Sequence, residues 1–136
     1  MEAIYLLDTN TVSYFIANRP PQVRRKFENV GAAVTAISVI TEAELWYGAT
    51  RIPGAIRRRL AIELFLASAN ILPWDSDAAR AYGNLRAEQE RIGRRLSVED
   101  LMIAAHALSR DLILVTSDRA FSFVTGLRSE DWTTIL

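Results

Sequence analysis

Short apolar runs of strand length alternate with longer stretches of helical period along this chain. That alternation is restrictive. Strands separated by helices do not pair as tight hairpins, and the arrangement that buries both is a parallel sheet with helical crossovers. Residues 3–8 read as a buried first strand around Ile4-Tyr5-Leu6-Leu7. Ala32 to Ile37, Asn70 to Trp74 and Ile113 to Val115 read as three more, and Trp132 to Leu136 as an edge strand. Between them the pattern predicts helices. The first, Thr11 to Ile16, is stopped by Asn18-Arg19-Pro20-Pro21. Pro21 suits the first turn of a second helix, running to about Asn29. Ser38 is a good N-cap for Val39 to Ala49, and Pro53-Gly54 separates that helix from Ala55 to Ser68. Asp75-Ser76-Asp77 starts a long helix ending near Gly93, with acids at its positive end. Ser97 opens another, to about Arg110, and a short helix covers Arg119 to Phe123.

The 136 residues are the common size of one domain, and an apolar fraction of 50% suffices for a core, so residues 1–136 are read as a single domain. No apolar stretch approaches the roughly 18–20 residues needed to span a bilayer. Met1-Glu2-Ala3 lacks the basic start of a signal peptide. Cysteine is absent, which excludes disulfides and thiolate metal sites and fits a reducing, cytoplasmic setting. His106 is the only histidine, so a zinc site is poorly supplied. Any metal here would be held by oxygen, which points to Mg²⁺ or Mn²⁺. Acids and bases balance at sixteen each, so net charge does not announce a nucleic acid. Fifteen of the sixteen bases are Arg, whose forks match phosphate oxygens, although codon composition explains such a bias equally well.

In a parallel sheet the ligand site lies beyond the carboxyl ends of the strands. Asp8 ends the first apolar run, and Asp118 follows the run Leu112-Ile113-Leu114-Val115 by three residues. Glu44 and Asp100 lie early in helices. All four therefore point toward one edge. Each has a bland reading as well. Asp8 and Asp118 are good caps for the helices that follow, and Thr41-x-x-Glu44 and Ser97-x-x-Asp100 have capping-box spacing. As a group they are harder to dismiss. Carboxylates brought together cannot all stay ionised without a cation, and one that follows a buried strand is poorly solvated. Glu28, Glu63, Glu88 and Glu90 read as solvated helix faces. Competing chemistries fit less well. Asp8-Thr9-Asn10 lacks the second Asp of an aspartate-nucleophile phosphatase, and neither a P-loop nor a G-x-G-x-x-G is present. His106 sits mid-helix and reads as a packed or capping residue.

The ordered set Leu6-Leu7-Asp8-Thr9-Asn10, Ala43-Glu44-Leu45-Trp46-Tyr47-Gly48, Asp100-Leu101-Met102-Ile103-Ala104-Ala105-His106-Ala107, Val115-Thr116-Ser117-Asp118 and Glu130-Asp131-Trp132 resembles the PIN-domain ribonucleases. More narrowly, it resembles the VapC toxins of type II toxin–antitoxin systems. The resemblance covers essentially the whole chain. It implies a three-layer α/β/α sandwich with a central, mainly parallel sheet. It also implies a Mg²⁺- or Mn²⁺-dependent endoribonuclease acting on structured RNA such as tRNA or ribosomal RNA. The family's acidic positions fall on Asp8, Glu44, Asp100 and Asp118, as catalytic residues and metal ligands. Glu42 and Glu99 are neighbouring rivals, disfavoured by their context. Thr9, Asn10, Thr116 and Ser117 match polar positions that orient ligands or waters. Ser117, and Ala120 before Phe121, depart from the residues common in relatives.

Two Arg groups are candidates for RNA contact: Arg51, Arg57, Arg58 and Arg59, and, closer in sequence to Asp100, Arg91, Arg94 and Arg95. The resemblance further implies a VapB-type antitoxin whose C-terminal segment wraps the toxin, and a homodimer within a larger hetero-oligomer. Trp46, Tyr47, Phe65 and Leu66 read first as core and second as a groove for a partner helix. The alternatives are a PIN nuclease that is not a toxin, another metal-dependent phosphohydrolase, and an inactive binding module.

Overall fold

The computed structural model describes residues 2–94 and 96–134. Five strands form one all-parallel sheet: β1 (Tyr5–Leu7), β2 (Thr35–Ser38), β3 (Ile71–Leu72), β4 (Ile113–Val115) and β5 (Ser129–Glu130), in the spatial order β3-β2-β1-β4-β5. Six helices connect them: α1 (Thr9–Ala17), α2 (Pro21–Val30), α3 (Val39–Thr50), α4 (Ile56–Ser68), α5 (Ser76–Arg91) and α6 (Val98–Ser109). The expected α/β sandwich is therefore present.

Strand register and the two-residue side-chain period build its layers. Leu6 aligns with Ala36 and Leu114, and all three pack with Leu85 of α5 and Leu101, Ile103 and Ala104 of α6. Their neighbours Leu7, Ile37 and Val115 face the other side, against Val12 of α1, Val23 of α2, Leu45 of α3 and Ile62 of α4. The continuous apolar runs of β1 and β4 follow from this, because a sheet covered on both faces needs apolar residues at every position.

The chain moves outward from β1 through β2 to β3, then returns to place β4 on the other side of β1. The order reverses between β1 and β4, and a crevice at such a switch point is where open α/β sheets bind ligands.

Several expected boundaries move. The second strand starts at Thr35, because Ala32–Val34 forms a 3-10 turn entered from Gly31 at φ +93°. The third shrinks to Ile71–Leu72; Pro73 has no N–H to extend the ladder. The edge strand predicted at Trp132 to Leu136 is Ser129–Glu130 instead. Trp132 is a buried plug in a turn, its ring edge-on to Tyr5 at 5.3 Å. Ile135 and Leu136 lie outside the described residues, as does Arg95. Among the described residues no helix is long and apolar enough to cross a membrane.

Candidate active site

Asp8 leaves β1 at the switch point. Its N–H still donates to Val115 O of β4 at 3.0 Å, while its carboxylate Oδ1 accepts the Thr11 N–H at 2.8 Å and caps α1. The Thr11 hydroxyl in turn donates to Val115 O at 3.0 Å, so this junction is fastened to the neighbouring strand. Asp8 is only 5% exposed. Burial pushes its carboxyl above the usual carboxylate range, opposed by hydrogen bonds from Thr116 and Thr11 and reinforced by the charge of Asp118.

Asp118 follows β4. It caps the short 3-10 helix Arg119–Phe123 by accepting the Ala120 N–H at 2.9 Å, and its own N–H donates to the Thr116 hydroxyl at 3.1 Å. Asp100 stands in the first turn of α6, where its N–H is the group that the Ser97 side chain caps, at 3.1 Å. Burial raises the Asp100 carboxyl as well. A hydrogen bond with Ser97 opposes the shift, and Glu44, Asp118 and Asp8 add repulsion. Glu44, on α3, accepts a 2.6 Å hydrogen bond from the Thr9 hydroxyl, and Thr9 also lies 3.4 Å from the hydroxyl of buried Thr41.

Asp8, Glu44, Asp100 and Asp118 are thus delivered by separate elements to one edge, and Asp100 senses the charge of the other three. Three of the capping readings hold together with this convergence, for Asp8, Asp118 and the Ser97–Asp100 pair. The Thr41–Glu44 box does not, because α3 starts earlier, at Ser38. The rival acids separate cleanly. Glu42 accepts from the indole N–H of Trp46 at 3.1 Å on the surface, and Glu99 is exposed.

The donor set suits a hard divalent cation. It is all oxygen, and the ion pairs among the described residues join Arg59 to Glu63, Arg86 to Glu90, Arg110 to Asp75 and Arg128 to Asp111, leaving these four acids without a basic partner. Among the described residues no three His, Asp or Glu side chains lie close enough together to hold a metal ion as they stand.

Sequence reasoning passed over Thr11 as a holder of the site and saw in Thr41 only a possible cap. Their signal was faint: hydroxyl residues three positions after Asp8 and three before Glu44. Asn10 is exposed, and Ser117 is half-buried. His106 is fully buried as expected, with Nδ1 2.7 Å from the Ser38 hydroxyl. That contact ties the helix of Asp100 to the cap of the helix of Glu44. Trp46 and Tyr47, read first as core, are 39% and 69% exposed, whereas Leu66 is buried and Phe65 stacks edge-on against Phe15.

The profile of the PIN domain matches residues 5–127. Over 129 residues the chain is 43% identical to the tRNA(fMet)-specific endonuclease VapC of Shigella flexneri, covering 94% of this chain and 97% of that protein. The chain is a PIN-domain ribonuclease of the VapC family. It is also 41% identical to ribonuclease VapC2 of Haemophilus influenzae, with the same coverage. Among solved structures, this VapC fold superposes on a chain of the DNA-bound VapBC of Salmonella typhimurium with a TM-score of 0.89 and 39% identity, covering 96% of this chain and 98% of that one. It superposes likewise on VapBC2 of Rickettsia felis bound to a promoter DNA fragment, with a TM-score of 0.87 and 32% identity, covering 95% and 98%. These VapC-like structures are toxin–antitoxin complexes.

Proposed function

We propose that this chain is the toxin of a VapBC-type pair, a Mg²⁺- or Mn²⁺-dependent endoribonuclease whose first substrate to test is tRNA(fMet). The carrying observation is the convergence of Asp8, Glu44, Asp100 and Asp118: burial and acidic neighbours raise the Asp8 and Asp100 carboxyls, and none of the four has a basic ion-pair partner among the described residues. Similarity to a tRNA(fMet)-specific relative over nearly the whole chain supports the choice of RNA.

Asp8 and Asp100 would hold the principal ion, with Asp118 completing its shell directly or through water. A bound Mg²⁺ or Mn²⁺ supplies charge neutralisation at the scissile phosphate and eases deprotonation of water. Glu44, fixed by the Thr9 hydroxyl, is suited to orient the attacking water or to help hold a second ion. In-line attack forms the new P–O bond as the P–O3′ bond breaks. The products are a 5′-phosphate and a 3′-hydroxyl, the leaving oxygen taking up a proton. Thr116 and Thr11 hold the Asp8 carboxylate in place throughout.

A VapB-type antitoxin is the proposed partner, with a toxin homodimer inside the hetero-oligomer. Supporting it, Ile56, Leu60 and Leu64 make an exposed apolar stripe along α4, beside a cavity of about 430 Å³ lined by Phe15, Phe27, Leu64 and Phe65.

The test incubates purified, antitoxin-free protein with tRNA(fMet) and total RNA, with Mg²⁺, Mn²⁺ or EDTA. Discrete cuts abolished by EDTA are expected, with 5′-phosphate ends. Metal-independent cleavage leaving a cyclic phosphate would overturn the reading.

A further inference from the structure

Phe123 is anomalous. Phe121 and Val124 on either side of it are buried, yet Phe123 is 48% exposed. The ring is held outward rather than loose. Its carbonyl accepts from Gln89 Nε2 at 3.4 Å, and Gln89 is itself only 2% exposed. Next along the chain, the Thr125 hydroxyl donates to Glu88 at 3.2 Å. Two side chains of α5 therefore pin the segment that presents this ring. Over it lies the Arg94 guanidinium, 3.7 Å from the ring centre, with no carboxylate partner among the described residues.

Arg94 also borders a groove of about 590 Å³ floored by Leu96, Val98 and Leu101. Arg86 lines the same groove but is already engaged by Glu90 and Tyr82, which leaves Arg94 as the available cation. The groove floor and the ring that Arg94 covers belong to elements that carry site acids. Val98 and Leu101 flank Asp100 in the first turn of α6, and Phe123 closes the 3-10 helix that Asp118 caps. The groove and Asp100 thus share the N-terminal end of α6.

We infer that Phe123 and Arg94 form a binding site for an unstacked nucleotide of the RNA substrate. The inference rests on the ribonuclease reading above and adds a subsite to it. Sequence-tolerant grip on unpaired RNA comes from aromatic faces and Arg planes on which bases stack, with a cation near the backbone. This pair supplies both. A base adds to the outer face of the guanidinium or takes its place on the ring, and the displaced Arg94 then reaches phosphate. The ligand class is a single-stranded or loop segment, not a duplex, because paired bases offer no free face.

The test measures multiple-turnover cleavage of an anticodon stem-loop RNA in Mn²⁺, and binding of the same labelled RNA in EDTA at several salt concentrations. Phe123→Ala is expected to raise KM and Kd about tenfold, the loss typical of one base–aromatic stack, with kcat changing less than about twofold. Phe123→Trp restores both constants. Arg94→Gln weakens binding and lowers the salt slope by about one. Unchanged KM and Kd in Phe123→Ala would overturn the site. So would equal losses in Phe123→Ala and Phe123→Trp, which would reduce the ring to a fastening of the α5–α6 loop. Both outcomes leave cleavage by the wild-type protein intact, whereas a wild type that neither binds nor cuts RNA removes the ribonuclease reading and this subsite with it.

Discussion

Replacing Asp8 by Asn is expected to make the metal-free protein more stable while abolishing cleavage. Asn caps a helix as well as Asp does, so the bond from the Thr11 N–H at 2.8 Å survives. What disappears is a charge on a side chain that is 5% exposed and faces Asp118 without a basic partner among the described residues. An uncompensated buried polar group costs about 1–3 kcal/mol, and more when charged. Against this stands the weakening of the charge-assisted bonds from Thr116 and Thr11, about 1 kcal/mol. The net gain is about 1 kcal/mol, or about 4 °C in Tm for a chain of this size. The sign follows from linkage. The folded-state pKa lies above the usual 3.8, so between those two values the native state holds more protons than the unfolded one. Stability therefore falls as pH rises through that window and stays reduced at neutral pH, and the advantage of the variant vanishes below 3.8. A cation reverses the ranking. At a hundredfold excess over its Kd it adds about 2.7 kcal/mol to the wild type, most of which Asp8→Asn forfeits. Thermal melts in EDTA and in Mn²⁺, run beside the cleavage assay, read all of this. Asp8→Ala should melt below Asp8→Asn by about 1 kcal/mol, for the lost cap. The reasoning fails if Asp8→Asn melts below the wild type in EDTA, or if Mn²⁺ raises both by the same amount.

Thr9→Val keeps the shape but removes the donor to Glu44; kcat should drop about tenfold and the Tm should fall by several degrees, as expected from losing about 1.5 kcal/mol in a hydrogen bond to a charged group. His106 is pushed below the usual 6.5 by burial and the nearby charge of Arg110, against a smaller opposing effect of Asp75 and the Pro73 carbonyl. Its neutral ring contributes stability in full above 6.5, which is lost as pH falls from there through the lower folded-state value, so the wild-type Tm should decline as pH drops below 6.5 and His106→Gln should show a flatter profile. Leu114→Ala empties a fully buried site on a central strand and should cost about 3 kcal/mol in urea unfolding.

The parallel sheet was legible because both faces of β1 and β4 are covered, which writes unbroken apolar runs into the chain. The candidate site was legible for a related reason. Helices that begin where strands end need acceptors for their first N–H groups, and Asp8 and Asp118 serve that need at the switch point, while Ser97 caps α6 after α5 and so sets Asp100 in its first turn. Elements two residues long leave too little pattern to read. β5 was misplaced for that reason, since Trp132, the apolar residue that drew attention to its neighbourhood, packs from a turn instead of pairing. The helices α3 and α4 show a different limit. Leu45, Ala49, Ile62 and Leu66 are buried, yet Trp46, Tyr47, Ile56, Leu60 and Leu64 on the same helices are exposed. Periodicity reports which faces are apolar; what covers a face is decided by other chains as well as by this one. A core helix carries one apolar stripe and a polar remainder, so a helix apolar on two faces is read as deeply buried when folded alone. In α4 the second face meets solvent. The resulting expectation is physical: adding a partner that covers Ile56, Leu60 and Leu64 should raise the Tm with partner concentration, and Leu60→Glu should erase that rise without lowering the Tm of the isolated chain.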